Sequence, residues 1–242
     1  MEDDINEPFL HYKDNEEDFD LDKKIQENIR NGFICKVYGI ILYQIILCAI
    51  LVIFALNSSA FQEILLTSYT LYYLSFFLSF FCILLPLCSP RIFQKVPINY
   101  IILTIFTLSI SWDVAIAVCV YSTKSVIIAF FLTFVMVLSL TVYAWRTEKD
   151  FTIFGGTLFV GLILLLFTSL IYLIFPIHLI YLFYIYASLI IFCIYLIYDT
   201  QLLIGKGRCK FSEDEYILAA MNIYLDIIVL FLKILSIVGE KK

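Results

Sequence analysis

The sequence has few of the groups on which enzymes and metal sites depend. It contains two histidines, His11 and His178, and neither lies near a nucleophile in a recognisable motif. Its seven cysteines are scattered without a C-x-x-C spacing, so neither a disulfide framework nor a zinc site is predicted. Gly155-Gly156 and Gly205-Lys206-Gly207 lack the spacing of a phosphate-binding loop. We therefore predict a protein that is not an enzyme, carries no cofactor and has no nucleic-acid partner.

Charged residues are also scarce, at 15% of the 242 residues, whereas 62% are hydrophobic and the mean hydropathy is +0.97. A soluble domain averages about 45–50% apolar residues, so this composition indicates an integral membrane protein. Each apolar run reaches the ~20 residues that cross ~30 Å of hydrocarbon as a helix, and unbroken runs exclude the alternating strands of a barrel. The fold class is therefore an all-α membrane protein, a seven-helix bundle. The candidate spans are 37–56, 69–88, 98–121, 125–145, 153–175, 177–198 and 216–238.

Acidic residues are concentrated before the first span. Residues 1–22 carry ten acids and one lysine, and the remaining residues carry eleven acids and fifteen bases. A segment with this much net charge and few apolar residues does not bury a core. We therefore divide the chain into an acidic, disordered cytosolic tail at 1–30 and a transmembrane domain at 31–242.

The loops differ in basic residues, which predicts orientation. Short loops rich in Lys and Arg remain cytosolic, and here the even-numbered loops are basic while the odd-numbered loops hold a single lysine, Lys124. This alternation predicts a cytosolic N-terminus. The seventh segment either crosses fully or re-enters. It is the most polar segment, with Asn222 and Asp226 one helical turn apart, so we expect it inside the bundle. The basic residues of the even loops are Arg91, Lys95, Arg146, Lys149, Lys206, Arg208 and Lys210.

Three acids lie within the apolar spans: Asp113, Asp199 and Asp226. A carboxylate at the centre of a spanning helix costs about 2.5–3.5 kcal/mol on insertion scales, so it usually faces protein or water and marks an ion or proton path. No basic residue lies deep in the last two spans to neutralise Asp199 and Asp226. These two residues are therefore the primary candidates for a site.

Asp199 and Asp226 belong to a helical hairpin closed by a short polar loop. Asp199 lies roughly 8 Å and Asp226 roughly 15 Å from that end, at ~1.5 Å per residue. If they meet, the two like charges resist being ionised together, and the pair titrates as a unit. It would then hold a shared proton or transiently bind Ca²⁺, a cation that prefers oxygen ligands. The alternative, which the spacing leaves open, is an interfacial Asp199 and an Asp226 bonded to Asn222 or the backbone.

Several stretches carry a specific pattern beyond their apolar character. They are Lys36-Val37-Tyr38 with Gln44, residues 140–144, Lys149-Asp150-Phe151 with Phe154-Gly155, residues 197–201 (I-Y-D-T-Q) and residues 215–228 (E-Y-I-L-A-A-M-N-I-Y-L-D-I-I). In these motifs, from about residue 30 to its end, the chain resembles the transmembrane Bax inhibitor motif family. The branch it resembles is that of the Lifeguard and Golgi anti-apoptotic proteins.

The resemblance implies a last helix encircled by the other six, a pH-sensitive Ca²⁺ leak from stores and suppression of cell death. It also implies that Asp199 and Asp226 form the pH-sensing pair, with Asn222 in support. Where the family tends to carry a glutamate after Phe-Thr-Leu, this chain has Ser109 and Ile110, and Asp113 is the nearest acid. We expect Arg91 to be the arginine that switches with the pair.

Three functions remain open. The first is a pH-sensitive calcium leak channel of the endoplasmic reticulum or Golgi, or alternatively of the plasma membrane, with calcium ions and protons as its ligands. The second is a proton-coupled cation exchanger on the same fold. The third is a non-conducting regulator that binds cell-death or calcium-channel proteins, for which the acidic tail with Phe9 and Phe19 offers a docking segment.

Overall fold

The computed structural model describes the backbone of residues 7–242 and the side chains of residues 21–86 and 88–242. Within these residues the chain forms eight α-helices, seven of which are long and apolar enough to cross a membrane. The predicted all-α membrane bundle is confirmed. The helices are α1 (Glu7–Asn57), α2 (Ser59–Thr67), α3 (Tyr69–Cys88), α4 (Ile98–Cys119), α5 (Thr123–Arg146), α6 (Gly155–Ile174), α7 (His178–Ile204) and α8 (Tyr216–Val238).

Local sequence signals account for several helix ends. Ser58 and Ser122 cap α2 and α5, because each hydroxyl accepts a hydrogen bond from a backbone amide three residues later, at 3.3 Å. At the other end of α7, Gly205 takes the left-handed conformation, with φ 77°, and its amide donates to the Gln201 carbonyl. Glycine favours this helix-ending geometry because it has no Cβ to clash with the backbone.

The last helix is the centre of the bundle. We compared how much of the most apolar stretch of each spanning helix is buried. The buried share is 56% for α8 and 50% for α4, against 11–22% for the other five. α8 packs against α1, α4, α5 and α7, whereas α3 packs chiefly on α4 and α6 on α7. The expectation that six helices encircle α8 therefore needs correction: four contact it closely, and α3 and α6 form an outer layer. Lipid, and not protein, covers the exposed apolar faces.

The loops at the two ends of the bundle differ in how many Lys and Arg residues they carry, and we name the ends accordingly. The basic end consists of the loops at 89–97, 147–154 and 205–215, and the opposite end includes the loop at 120–122. α8 runs unbroken for 23 residues from the first end to the second. Beyond it the C-terminus pairs with the loop at 120–122, because the Ser122 amide donates to the Glu240 carbonyl and the Lys242 amide to the Val120 carbonyl. α8 therefore crosses fully and does not re-enter.

α1 extends well before the first apolar run. It begins at Glu7, so residues 21–30, which were expected to belong to the disordered tail, are helical. Adding a residue to an existing helix is much less costly than nucleating a new one, so the first span extends its helix into the polar segment. Residues 1–6 of the expected tail lie outside the described residues.

Candidate functional site

The α7–α8 hairpin places Asp199 and Asp226 next to each other. Both are buried, at 5% and 4% exposure, and their carboxyl groups interact across the closely packed interface of α7 and α8. Asp199 lies in the last two turns of α7, and Asp226 lies near the middle of α8. The axial offset expected from the sequence is therefore absorbed by the packing of the two helices. The structure brings together the two acids that the sequence singles out.

The pair has an incomplete set of polar partners. Among the described side chains, the Asp226 Oδ2 atom is buried without a hydrogen-bond partner, and so is the Thr200 hydroxyl one residue after Asp199. The ion pair found among the described residues joins Arg30 to Glu213 and does not involve either aspartate. Buried carboxylates are usually stabilised by a cation or by several donors. Here the site can instead hold a proton between the two groups or receive a cation from outside.

Two tyrosines of α7, Tyr195 and Tyr198, are the other titratable groups that interact with the pair. Both are neutral around physiological pH in ordinary surroundings. Gly155, the first residue of α6, lies close to Tyr198. A Cβ at Gly155 would come within 2.8 Å of the Tyr198 hydroxyl. A residue without a side chain at the start of α6 therefore leaves room for Tyr198, which precedes Asp199.

The supporting residues are distributed differently from the expectation. Asn222 lies one turn before Asp226 and is half-buried, but its side chain makes no hydrogen bond among the described residues. Asp113 faces α3, where the Ser75 hydroxyl donates to Oδ1 at 2.6 Å and the Ser79 hydroxyl to Oδ2 at 3.1 Å. Asp113 is thus held by partners of its own, at the interface between α3 and α4. No hydrogen bond in the described structure links it to the aspartate pair.

Arg91, the arginine expected to switch with the pair, makes no ion pair with it in this structure. It lies in a 3₁₀ turn at Pro90–Gln94, is exposed, and makes no ion pair with the described acids. Arg30, which the sequence analysis does not single out, is the arginine that contacts the hairpin. Its Nη2 donates to the Leu202 carbonyl at 2.5 Å and its Nη1 to the Phe211 carbonyl at 2.6 Å.

A second group of contacts holds the same loop from the side of α6. Asp150 accepts hydrogen bonds from the Thr152 hydroxyl at 2.6 Å and from the Arg208 amide at 3.1 Å. These bonds, the one from Thr152 most of all, hold the pKa of the half-buried Asp150 carboxyl below its usual range. Gln201 bridges the neighbouring segment, accepting from the Phe151 amide and donating to the Lys149 carbonyl. The loop at 205–215 is therefore attached on two sides.

A cavity opens at the basic end beside these contacts. It has a volume of about 230 Å³, and its lining includes Gln201, Lys206 and Asp150. Gln201 is two residues from Asp199 along α7. The cavity lies at the end that carries the basic loops, and neither Asp199 nor Asp226 lines it.

Comparison with known proteins agrees with this architecture. The family described as "Inhibitor of apoptosis-promoting Bax1" matches residues 30–242. The chain belongs to this family. It is 40% identical over 217 residues to Protein LIFEGUARD 4 of Arabidopsis thaliana, covering 86% of this chain and 85% of the relative. It is 33% identical over 220 residues to Protein lifeguard 3 of Homo sapiens, covering 88% of this chain and 70% of the relative. A BI1-like protein of Arabidopsis thaliana is 37% identical over 225 residues, covering 89% of this chain and 83% of the relative.

The matched region includes all seven spanning helices and begins at Arg30, the residue that contacts the α7–α8 loop. Membership places the protein among multi-pass membrane proteins of an anti-apoptotic family of Bax inhibitor and Lifeguard proteins. The lipid bilayer is therefore its surrounding medium.

Proposed function

We propose that this Bax inhibitor family protein is a pH-sensitive Ca²⁺ leak channel of an intracellular membrane, through which it limits the calcium stores that promote cell death. The observation that carries the proposal is the adjacent, buried Asp199 and Asp226, which lack a basic partner among the described residues. Intramembrane carboxylates of this kind mark ion and proton paths. Asp226 lies on the central helix α8 and Asp199 on the adjacent α7, where a path through the bundle would run.

In the closed state the two carboxyl groups share a proton and hydrogen-bond each other. Loss of that proton leaves two negative charges in contact within a poorly solvated site, where repulsion is much stronger than in water. The charged pair then pushes α7 and α8 apart or attracts a cation. Tyr195 and Tyr198, the other titratable groups near the pair, are expected to stay neutral, so the two aspartates control the response.

Ca²⁺ is the cargo in this proposal and not a resident cofactor. It prefers about six to eight oxygen ligands, whereas the pair and the unpartnered Thr200 hydroxyl supply fewer than that. The described residues contain no group of three or more His, Cys, Asp or Glu side chains arranged to hold a metal ion. A site with few ligands binds briefly, which suits passage better than storage.

The orientation forms part of the proposal. The basic end carries Arg91, Lys95, Arg146, Lys149, Lys206, Arg208 and Lys210. Short basic loops remain in the cytosol, so the cavity beside Gln201 would open to the cytosol and the C-terminus would face the store. The endoplasmic reticulum and the Golgi are the membranes expected, and surface labelling of cells would detect a plasma-membrane pool.

The experiment is Ca²⁺ flux from proteoliposomes across a series of pH values. Wild-type protein should leak faster as the pH rises through the titration of the pair, and Asp226→Asn should flatten this dependence, since the pair then cannot carry two negative charges. Asp214→Asn, an exposed acid of the α7–α8 loop, is the matched control and should keep the wild-type profile. An unchanged profile in Asp226→Asn would reject the mechanism.

The same vesicles distinguish the two competing functions. Flux that stops when an opposing proton gradient is collapsed would identify a proton-coupled exchanger, because a leak needs no such gradient. Wild-type protein that passes no Ca²⁺ at any pH would leave a non-conducting regulator of cell-death or calcium-channel proteins as the better account.

A further inference from the structure

Arg30 makes a contact whose consequences reach beyond its own helix. It projects from α1 onto the loop between α7 and α8, which is more than 170 residues away in sequence. Its guanidinium group bonds two backbone carbonyls, pairs with Glu213 at 3.5 Å and lies 4.7 Å from the Phe33 ring centroid. Its side chain is 13% exposed. These contacts attach α1 to the α7–α8 loop.

The two carbonyls belong to the two ends of the loop. Leu202 lies in the last turn of α7, where carbonyls lack partners within the helix, and a cation there also complements the helix dipole. Phe211 lies on the α8 side of the loop, and its amide donates to the same Leu202 carbonyl at 3.2 Å. Arg30 therefore bonds both ends of the hairpin connection at once.

Gly205 provides independent support for this fit. A Cβ at Gly205 would lie 3.1 Å from the Arg30 Nε atom and 3.3 Å from its Cζ atom. The positive φ of the residue adds a second reason for glycine at this position. The loop therefore leaves room for the arginine as well as for its own turn.

The geometry also specifies arginine rather than lysine. A guanidinium group is planar and presents its donors in a rigid fork, so it can bond two carbonyls at fixed separation. A lysine ammonium is a point charge on a flexible chain and cannot reproduce that spacing. Retaining the charge alone would therefore not retain the bridge.

We propose that Arg30 is a positioning residue for the aspartate pair: by bridging Leu202 to Phe211 it sets the separation of α7 and α8 at which Asp199 and Asp226 exchange their proton. This proposal rests on the proposed leak function. Leu202 lies three residues after Asp199, less than one turn along α7, so a shift of the loop is transmitted directly to the carboxyl group. Loss of the bridge lets the charged pair separate more easily.

The loop at 205–215 carries six charged side chains, which are Lys206, Arg208, Lys210, Glu213, Asp214 and Glu215. Glu213 faces Arg30 from the loop, and Asp150 with Lys206 lies on its far side, toward α6. Tyr195 and Tyr198 lie beside the pair itself. Among these, Glu213 alone forms an ion pair with Arg30, so it is the group whose removal must be tested separately.

The test compares variants of the full-length protein in proteoliposomes. Arg30→Gln should move the pH midpoint of Ca²⁺ flux to lower pH by about one unit, while flux itself remains. Arg30→Lys should behave like Arg30→Gln with a smaller shift. Glu213→Gln, which leaves both carbonyl bonds in place, and Arg146→Gln, an exposed arginine without an ion pair among the described residues, should keep the wild-type midpoint.

Hydrogen exchange provides a readout that does not depend on flux. In Arg30→Gln the amides of residues 205–215 should exchange faster than in wild type, with no change in α3. Unchanged exchange would overturn the bridge, and faster exchange with an unmoved midpoint would overturn its link to the pair. A midpoint moved by Glu213→Gln but not by Arg30→Lys would show that charge, and not the bridge, is responsible. Absence of wild-type flux would instead reject the proposed function, and the exchange comparison would still test the bridge.

Discussion

The α3–α4 interface holds one half-buried carboxyl group, and the α7–α8 interface buries two. The surroundings of these groups differ. At α3–α4, both oxygens of Asp113 accept hydrogen bonds from serine hydroxyls. At α7–α8, an oxygen of Asp226 has no hydrogen-bond partner among the described residues, and the Asp226 side chain interacts with the carboxyl group of Asp199. A carboxyl group with donors of its own is held in one arrangement. A carboxyl group that faces another carboxyl group has two arrangements, one with a shared proton and one without it.

The largest expected effect contrasts the two sites directly. Asp199→Asn combined with Asp226→Asn should abolish the pH dependence of Ca²⁺ flux, whereas Asp113→Asn should leave its midpoint in place, because Asp113 has no hydrogen bond to the pair in the described structure. Flux in vesicles across a pH series measures both. A midpoint displaced by Asp113→Asn would show that the two interfaces act together.

A second prediction concerns stability at the α3–α4 interface. Replacing Ser75 and Ser79 by alanine removes both donors to Asp113 and should lower the free energy of unfolding by about 1–3 kcal/mol, the usual cost of an unsatisfied buried polar group. Thermal unfolding in detergent measures the change. With Asp113→Asn as background the same serine substitutions should cost less, and equal costs in both backgrounds would contradict the described bonds.

The third prediction compares two glycines at the ends of helices. Gly205→Ala should destabilise the protein by about 1–2 kcal/mol, because alanine resists a positive φ and because its Cβ approaches Arg30. Gly156→Ala, in the first turn of α6 with nothing within 4 Å of the added Cβ, should be neutral or stabilising by up to about 1 kcal/mol. Equal unfolding temperatures for the two variants would contradict the described loop.

The smallest effect is expected at Thr200. Its hydroxyl is buried without a partner in the described structure, so Thr200→Val should leave stability unchanged or raise it by up to about 1 kcal/mol. If the hydroxyl is a transient ligand for the passing ion, the variant should also conduct more slowly at every pH. A clear loss of stability would mean that the hydroxyl has a partner in the membrane.

Much of the fold was predictable because long apolar runs identify membrane-spanning helices. The seven spans and the polar, central α8 follow from the cost of exposing backbone or carboxylate to lipid. The helical state of residues 21–30 was not predictable from composition, since it depends on extension of an existing helix. The outer positions of α3 and α6 also depend on packing that apolar runs do not encode.

The site was predictable in part. Asp199 and Asp226 stand out as acids in apolar spans, but their separation depends on how the two helices pack. Arg30 gave no signal, because its partners are backbone carbonyls of Leu202 and Phe211, and a carbonyl carries no residue identity. Arg91 is expected as the switch partner from the family resemblance and its place at the cytosolic end of the second span, and in the structure it is exposed without an ion pair to the described acids.

The central claim is that one proton shared by Asp199 and Asp226 controls the flux of Ca²⁺. Infrared titration of the reconstituted protein tests it most directly, because a protonated carboxyl group has its own carbonyl absorption. The wild-type band should disappear at the same pH at which Ca²⁺ flux rises, and it should be missing from the Asp199→Asn, Asp226→Asn double variant. A band that persists in the double variant, or that titrates at a pH where flux does not change, would contradict the account.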